Sequence, residues 1–84
     1  MFEKFMDCLE YEVNNLQNLL NDPRNNPFDS YWGTLQRCYG ATVLFASINE
    51  EDFEQIEEVY NETAEKIKEI YLQKISWQTL SIVV

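Results

Sequence analysis

Residues 27–48 read PFDSYWGTLQRCYGATVLFASI and form the most apolar and aromatic segment of the chain. Phe28, Leu35 and Thr42 recur every seven residues, a spacing that is typical of a helix. Short apolar runs are ambiguous by periodicity alone, so a strand over residues 42–48 is the competing prediction. We favour the helix because the helical spacing enters this run without a break.

The second half of this segment, CYGATVLFASI over residues 38–48, is apolar on all sides. This pattern predicts a helix that is enclosed by other elements rather than one that lies on a surface. Gly40 costs roughly 1 kcal/mol relative to alanine in the middle of a helix. Together with Ala41, Ala46 and Ser47, it predicts a small-residue surface on which another helix of the core packs closely.

A helix-breaking linker at residues 21–26, NDPRNN, connects this segment to a strongly amphipathic helix that is predicted over residues 2–21. Asn26 has the chemistry of a helix N-cap, and Pro27 suits the first helical position, where its missing N–H costs nothing. So short a connection predicts that the first two helices form an antiparallel hairpin.

A third helix is predicted over residues 50–75, with Asn49 as its N-cap. At 1.5 Å per residue it would be roughly 39 Å long and the first helix about 30 Å, so it should overshoot the hairpin by more than a turn. The apolar tail that follows, residues 76–84, could fold back under the bundle, pair as a short strand or pack on a second copy. We favour the second copy, and the predicted self-association residues are Trp77, Leu80, Ile82 and Val83.

The predicted fold is therefore all-α, a small three-helix bundle that forms one domain over residues 1–84, with an apolar C-terminal tail. The predicted core consists of the residues at the inward positions of the three helices. These are Met6, Leu9, Val13, Leu16, Leu20, Leu35, Cys38, Thr42, Phe45, Phe53, Ile56, Tyr60, Ile67 and Ile70.

The chain carries 15 acidic and six basic residues, a net charge of −9 at pH 7. This excess repels nucleic acid and anionic membranes, so we expect no direct nucleic-acid binding, whereas a basic protein remains open as a partner. No apolar run reaches the ~18 residues of a membrane span, and the N-terminal MFEKFMDCLE lacks the apolar centre of a signal peptide. We therefore predict a cytoplasmic protein that does not bind membranes. The composition is typical of small proteins of bacteria and their phages.

This composition lacks the residues that catalysis and metal binding usually require. The chain has no histidine, which is the usual acid–base group near neutral pH and a ligand of helical di-iron sites. It has no calcium-loop motif, and Cys8 and Cys38 are not in a CxxC arrangement. We predict no enzyme, no cofactor and no metal. The two cysteines are predicted to be reduced, with a redox pair as the alternative.

The third helix carries the most unusual charge pattern, because residues 50–69 hold nine acids and two lysines, a net of −7 over roughly 30 Å. Several glutamates four residues apart repel each other, and the pair Glu62–Lys66 offsets this only partly. One interpretation is a docking face for a basic protein, including mimicry of nucleic acid; the other is a solvated face. The predicted partner-binding face consists of Glu51, Glu54, Glu58, Glu62, Glu65 and Glu69.

Two functional hypotheses follow from these features. The first is a non-catalytic protein that acts through protein–protein interaction as a homo-oligomer, because the tail is apolar and the sequence offers no catalytic site. The alternative is an acidic inhibitor, which would occupy the nucleic-acid groove of a basic nucleic-acid-binding protein with the glutamates of the third helix.

Overall fold

The computed structural model of the chain describes residues 2–49 and 52–83, with side-chain surroundings as far as residue 76. Its three α-helices are α1 (Phe2–Asn21), α2 (Pro27–Ile48) and α3 (Phe53–Val83). The predicted all-α three-helix bundle is confirmed. The alternative strand over residues 42–48 is wrong, since α2 continues through them.

Helix α2 runs antiparallel to both other helices. At one end, the Phe5 ring stacks on the Phe45 ring with 4.6 Å between the centroids, so the start of α1 meets the end of α2. At the other end, Tyr31 stacks on Tyr71 at 4.6 Å, so the start of α2 meets the later part of α3. The predicted hairpin of α1 and α2 is therefore present, and α3 returns alongside it.

A small apolar core lies between the three helices, and each of its members stabilises the fold by roughly 1.5–3 kcal/mol through burial. Its buried apolar side chains are Phe5, Leu9, Leu16, Leu20, Cys38, Ile56 and Ile67. Two buried hydroxyls are satisfied: Thr63 Oγ1 donates to the carbonyl oxygen of Val59 at 2.8 Å, and Thr34 Oγ1 accepts from Arg37 at 3.1 Å. In the described part of the chain, no buried side-chain nitrogen or oxygen lacks a hydrogen-bond partner.

The inward-facing positions of the helices differ in part from the prediction. Met6 and Phe53, predicted in the core, are 46% and 57% exposed, and Leu35 is only half-buried. Phe5 and Thr34 are buried instead. Positions 5 and 6 are both apolar, and apolar residues occupy every side of α2, so the pattern leaves the rotation of these helices open by one residue. Contacts with the neighbouring helices fix it. The other predicted core residues are buried or half-buried.

Helix α3 is longer than predicted and extends past the hairpin. It runs from Phe53 to Val83 rather than over residues 50–75. Tyr71 lies beside the start of α2, so the 12 residues after it reach about 18 Å farther, and the predicted overshoot is present. Because the helix is continuous, the tail neither folds back nor forms a strand. The protein is accordingly long and narrow, 52 × 20 × 17 Å.

Asparagines close both ends of α2. Asn26 Oδ1 accepts hydrogen bonds from the backbone N–H groups of Phe28 (2.9 Å) and Asp29 (3.2 Å), which confirms the predicted N-cap. Asn49 ends the helix: its backbone N–H and its Nδ2 both donate to the carbonyl oxygen of Phe45, at 3.0 and 3.1 Å. The start and end of α2 are therefore fixed by local hydrogen bonds as well as by packing.

Arg37 joins α2 to α1. Its Nε donates to Glu12 Oε2 at 2.8 Å, and its Nη2 donates to the buried hydroxyl of Thr34. The Glu12 side chain is only 15% exposed, so this ion pair is partly shielded from water. The other ion pair of the described residues, Arg24 with Asp22, lies within one turn, and its arginine side chain is 87% exposed.

Replacing Arg37 by alanine is expected to lower the free energy of unfolding by about 1–2 kcal/mol, because the change breaks a charge-assisted hydrogen bond and leaves the Glu12 carboxylate without its cation. Arg24→Ala is the matched control. It should cost less than about 0.5 kcal/mol because exposed ion pairs contribute little. Urea denaturation of both variants at one protein concentration measures the difference, and equal losses would contradict a stabilising role for the bridge between helices.

Candidate interaction surfaces

One side of α2 is apolar and exposed, and we call it the outer face. It consists of six large side chains, each between 50% and 66% exposed: Phe28, Trp32, Tyr39, Val43, Leu44 and Ile48. The first four follow one stripe of the helix at spacings of four and seven residues, and Leu44 and Ile48 form a second stripe. The exposed polar residues Asp29, Gln36 and Ser47 lie between the two stripes. Although α2 is strongly apolar, none of the helices in the described residues has both the length and the apolarity to cross a bilayer.

The outer face is nearly uncharged. Asp29 and Arg37 are the only charged residues of α2, and their charges cancel. Arg37 is already paired with Glu12 on α1. The whole net charge of −9 therefore belongs to the other two helices and the linkers, so the molecule has one neutral side and an acidic remainder.

The prediction that the second half of α2 is enclosed is wrong. Val43 is 50% exposed, and Leu44 and Ile48 are 66% and 64% exposed. Two neighbouring helices cover only one side of a third, and the described chain offers no other element to cover the opposite side. Sequence reasoning missed the outer face for this reason: an all-round apolar helix has the same pattern whether its covering elements belong to its own chain or not.

Gly40 does not serve the core of its own chain. A Cβ atom built on it would meet no other atom within 4 Å, and Ser47 is likewise exposed. The predicted close packing of another core helix on Gly40 is therefore wrong. Within a single chain, Gly40 only lowers the stability of α2, because glycine in the middle of a helix loses more conformational freedom on folding than other residues do.

Gly40→Ala is expected to raise the free energy of unfolding by up to about 1 kcal/mol in dilute solution, because alanine favours the helix and its methyl group has open space. Gly33→Ala is the control. A Cβ at Gly33 would lie 3.3 Å from Arg37 Nη1, so that side chain must shift and the gain should be smaller. Urea denaturation at the lowest workable protein concentration tests this, and a loss of stability in Gly40→Ala would contradict it.

The outer surface of α3 is acidic. Five of the predicted partner-binding residues are exposed and form no ion pair with any other described residue: Glu54, Glu58, Glu62, Glu65 and Glu69. They cover about 22 Å along the helix. Glu62 and Lys66, which are four residues apart, do not form an ion pair within 4.0 Å. Glu51, the sixth predicted residue, lies outside the described residues.

The predicted self-association residues lie on the last turns of α3. The backbone there is helical, but the side chains of these four residues lie outside the described part of the structure. They are Trp77, Leu80, Ile82 and Val83. Their role in self-association stays a prediction.

The two cysteines differ in environment: Cys8 is exposed and Cys38 is fully buried, and both are free thiols. Burial, together with the nearby carboxylate of Glu12, raises the pKa of Cys38 from 9.0 to about 11. Burial also raises the pKa of Tyr60. A thiol with a raised pKa is a poor nucleophile, so Cys38 acts as a small core residue.

The raised pKa of Cys38 predicts alkaline destabilisation. The folded state binds the proton of the Cys38 thiol more tightly than the unfolded state does. Its contribution to the free energy of unfolding is therefore fully present below pH 9 and is lost as the pH rises toward 11. Two pKa units correspond to a loss of up to about 2–3 kcal/mol. Urea denaturation from pH 8 to pH 11 measures it, with Cys38→Ala as the control that should show a shallower decline. Parallel declines in the two proteins would contradict the assignment to Cys38.

A cleft of about 340 Å³ lies between α1 and α3. Its lining includes the apolar side chains of Met6, Leu9 and Val59 and the charged side chains of Glu62 and Lys66. Within the described residues, no group of three or more histidine, cysteine, aspartate or glutamate side chains could hold a metal ion. The lining also includes the polar residues Glu10, Asn14 and Thr63, and we assign the cleft no function.

Comparisons with protein-family models, with curated proteins and with solved structures gave no match. The surfaces described above, the outer face of α2 and the acidic side of α3, are consequently the basis for a functional proposal.

Proposed function

We propose that this chain is a non-catalytic protein that acts through protein–protein contacts and does so as a homo-oligomer. The proposal is supported by one observation: a single copy leaves a large surface exposed, and much of that surface is apolar. The absence of histidine from the sequence supports the non-catalytic part. The two free cysteines favour a reducing compartment, the cytoplasm.

The exposed surface is larger than the mass of the chain requires. A single copy exposes 6246 Å² at 10.0 kDa, whereas a compact monomer of this mass exposes about 5200 Å². Its radius of gyration is 14.6 Å, compared with about 12 Å for a compact chain of this length. The outer face of α2 contributes to the excess of roughly 1000 Å², and an oligomer would cover surface of this kind.

Sedimentation equilibrium over micromolar to high micromolar concentrations tests the proposal. We expect the average mass to rise from 10.0 kDa toward a whole multiple of it. Because two copies of charge −9 repel each other, screening by added salt should strengthen the self-association. A mass that stays at the monomer value at the highest concentration, at both low and high salt, would refute the homo-oligomer.

The acidic side of α3 supports a second candidate function, an inhibitor that binds a basic nucleic-acid-binding protein. The supporting observation is the row of five exposed glutamates without ion pairs, defined above. Like charges at spacings of three and four residues destabilise a helix by a few tenths of a kcal/mol per pair. A surface with this cost, spread over about 22 Å, is suited to a partner with a long basic groove.

A pull-down from lysate, eluted in steps of rising salt, tests the second candidate. A basic nucleic-acid-binding protein should elute at moderate salt and should be lost when Glu58, Glu62 and Glu65 are changed to lysine. Changing Glu3 and Asp7 of α1 and Asp29 of α2 to lysine alters the net charge equally and is the matched control. Equal losses in the two triple variants would indicate general electrostatics and would refute a dedicated face on α3.

A further inference from the structure

We propose that the outer face of α2 is the self-association surface and that it binds the same face of a second copy across a two-fold axis, with the two α2 helices crossing at Gly40. This inference rests on the proposed homo-oligomer. It assigns the contact to a surface other than the C-terminal residues predicted from the sequence.

The size of the outer face matches what a stable dimer needs. Aromatic side chains carry about 150–250 Å² each, and aliphatic side chains carry less. The three aromatic and three aliphatic residues, each at least half exposed, therefore present on the order of 550–600 Å². A standard protein–protein interface buries about 800 Å² on each partner, and the largest apolar patch of an ordinary monomer is about 300–600 Å². The outer face alone approaches the area of one half of an interface.

The charge distribution favours a second copy as the occupant. A chain of net charge −9 is repelled by another copy wherever carboxylates meet. The outer face carries the fewest carboxylates, because Asp29 is the only acidic residue of α2 and its only basic residue, Arg37, is paired with Glu12 of α1. When two copies meet through their α2 helices, the acidic residues of α1 and α3 point away from the contact, and the repulsion between the copies is smallest.

Gly40 supplies a point at which two helices can approach closely. In a two-fold interface each residue near the axis meets the same residue of the other copy. Helix axes approach most closely where the side chains at the crossing are small. Gly40 lies on the exposed side of α2 near Tyr39, Val43 and Leu44, and the space above it is empty. A contact with a second copy accounts for a glycine that the single chain does not use.

The first test compares two leucine-to-glutamate variants by sedimentation equilibrium. Leu44, on the outer face, and Leu72, on α3, are both exposed leucines, 66% and 48% respectively. Leu44→Glu should raise the dissociation constant at least a hundredfold because it places a charge in the contact, and Leu72→Glu should change it less than threefold. Circular dichroism checks that both variants keep the helical fold.

The second test is a cysteine cross-link in a Cys8→Ser background, where the remaining native thiol is buried. Gly40→Cys should form an intermolecular disulfide under mild oxidation, because the two copies of this residue meet at the crossing. Glu58→Cys, on the acidic side of α3, is the control and should stay monomeric on a non-reducing gel. Cross-linking of the two variants at equal rates would overturn the crossing at Gly40.

The remaining outcomes separate this inference from the proposed function. A wild-type chain that is monomeric at every concentration refutes both. A dimer that survives Leu44→Glu but is lost in Leu80→Glu places the contact on the C-terminal turns, which overturns this inference and keeps the homo-oligomer. A monomeric wild-type chain that loses binding to some other protein in Leu44→Glu shows that the outer face serves a different partner, and this also overturns the inference.

Discussion

Leu16→Ala is expected to remove most of the stability of this protein. Leu16 is fully buried, and truncation of a buried leucine costs about 3–5 kcal/mol, through lost burial and through the cavity that remains. The core of a domain this small rarely supplies more than about 3–5 kcal/mol of net stability. The variant should therefore be largely unfolded at physiological temperature, and circular dichroism during thermal and urea denaturation measures the change.

Leu72→Ala provides the matched control for this prediction. Its side chain is about half exposed, so the same truncation removes little burial and creates no closed cavity. The expected loss is below about 1 kcal/mol. Self-association adds stability that depends on concentration, so both variants must be compared with the wild-type chain at the same dilute concentration. Similar losses at the two positions would show that Leu16 does not lie in a closely packed core.

The second large effect is on thiol reactivity. Cys38 is expected to react with a disulfide reagent about a thousandfold more slowly in the folded protein than in the unfolded chain. The Cys38 thiol is completely inaccessible in the folded protein, so it reacts only when the bundle opens. A net stability of about 3–5 kcal/mol keeps the open fraction on the order of one in a thousand. Labelling at pH 8, with and without denaturant, measures the ratio.

Single-cysteine variants assign the two labelling rates. Cys38→Ser leaves only Cys8, which is exposed and should react at once in the folded protein. Cys8→Ser leaves only Cys38, which should react at the rate at which the bundle opens. Fast labelling of Cys8→Ser under native conditions would mean that the region around Cys38 opens readily, in contradiction to its burial.

The sequence was sufficient to predict the fold class because its strongest signals are local. The seven-residue repeats of α1 need only the geometry of one helix, and the capping of α2 by Asn26 needs only adjacent residues. The short connection between α1 and α2 then implies the hairpin. The end of α3 was missed because residues 76–83 were interpreted as a separate apolar tail, although they continue the helix.

The candidate surfaces were harder to predict, because they depend on how the helices are rotated against each other. The acidic side of α3 was visible in the sequence, since glutamates four residues apart share one face of any helix. The outer face of α2 was not visible. Its apolar residues occupy every side of the helix, and only the contacts of Thr34, Cys38 and Phe45 with the bundle show which side remains uncovered.

The confinement of the net charge to α1, α3 and the linkers has a practical consequence for handling the protein. On a positively charged resin or sensor, the molecule should adsorb through its acidic side and present α2 to the solution. Adsorption would thus immobilise the protein in one orientation without a tag, with the apolar face accessible to whatever is passed over it. Coupling through lysines should attach the protein through the same two helices, because Lys4 lies on α1 and Lys66, Lys68 and Lys74 lie on α3.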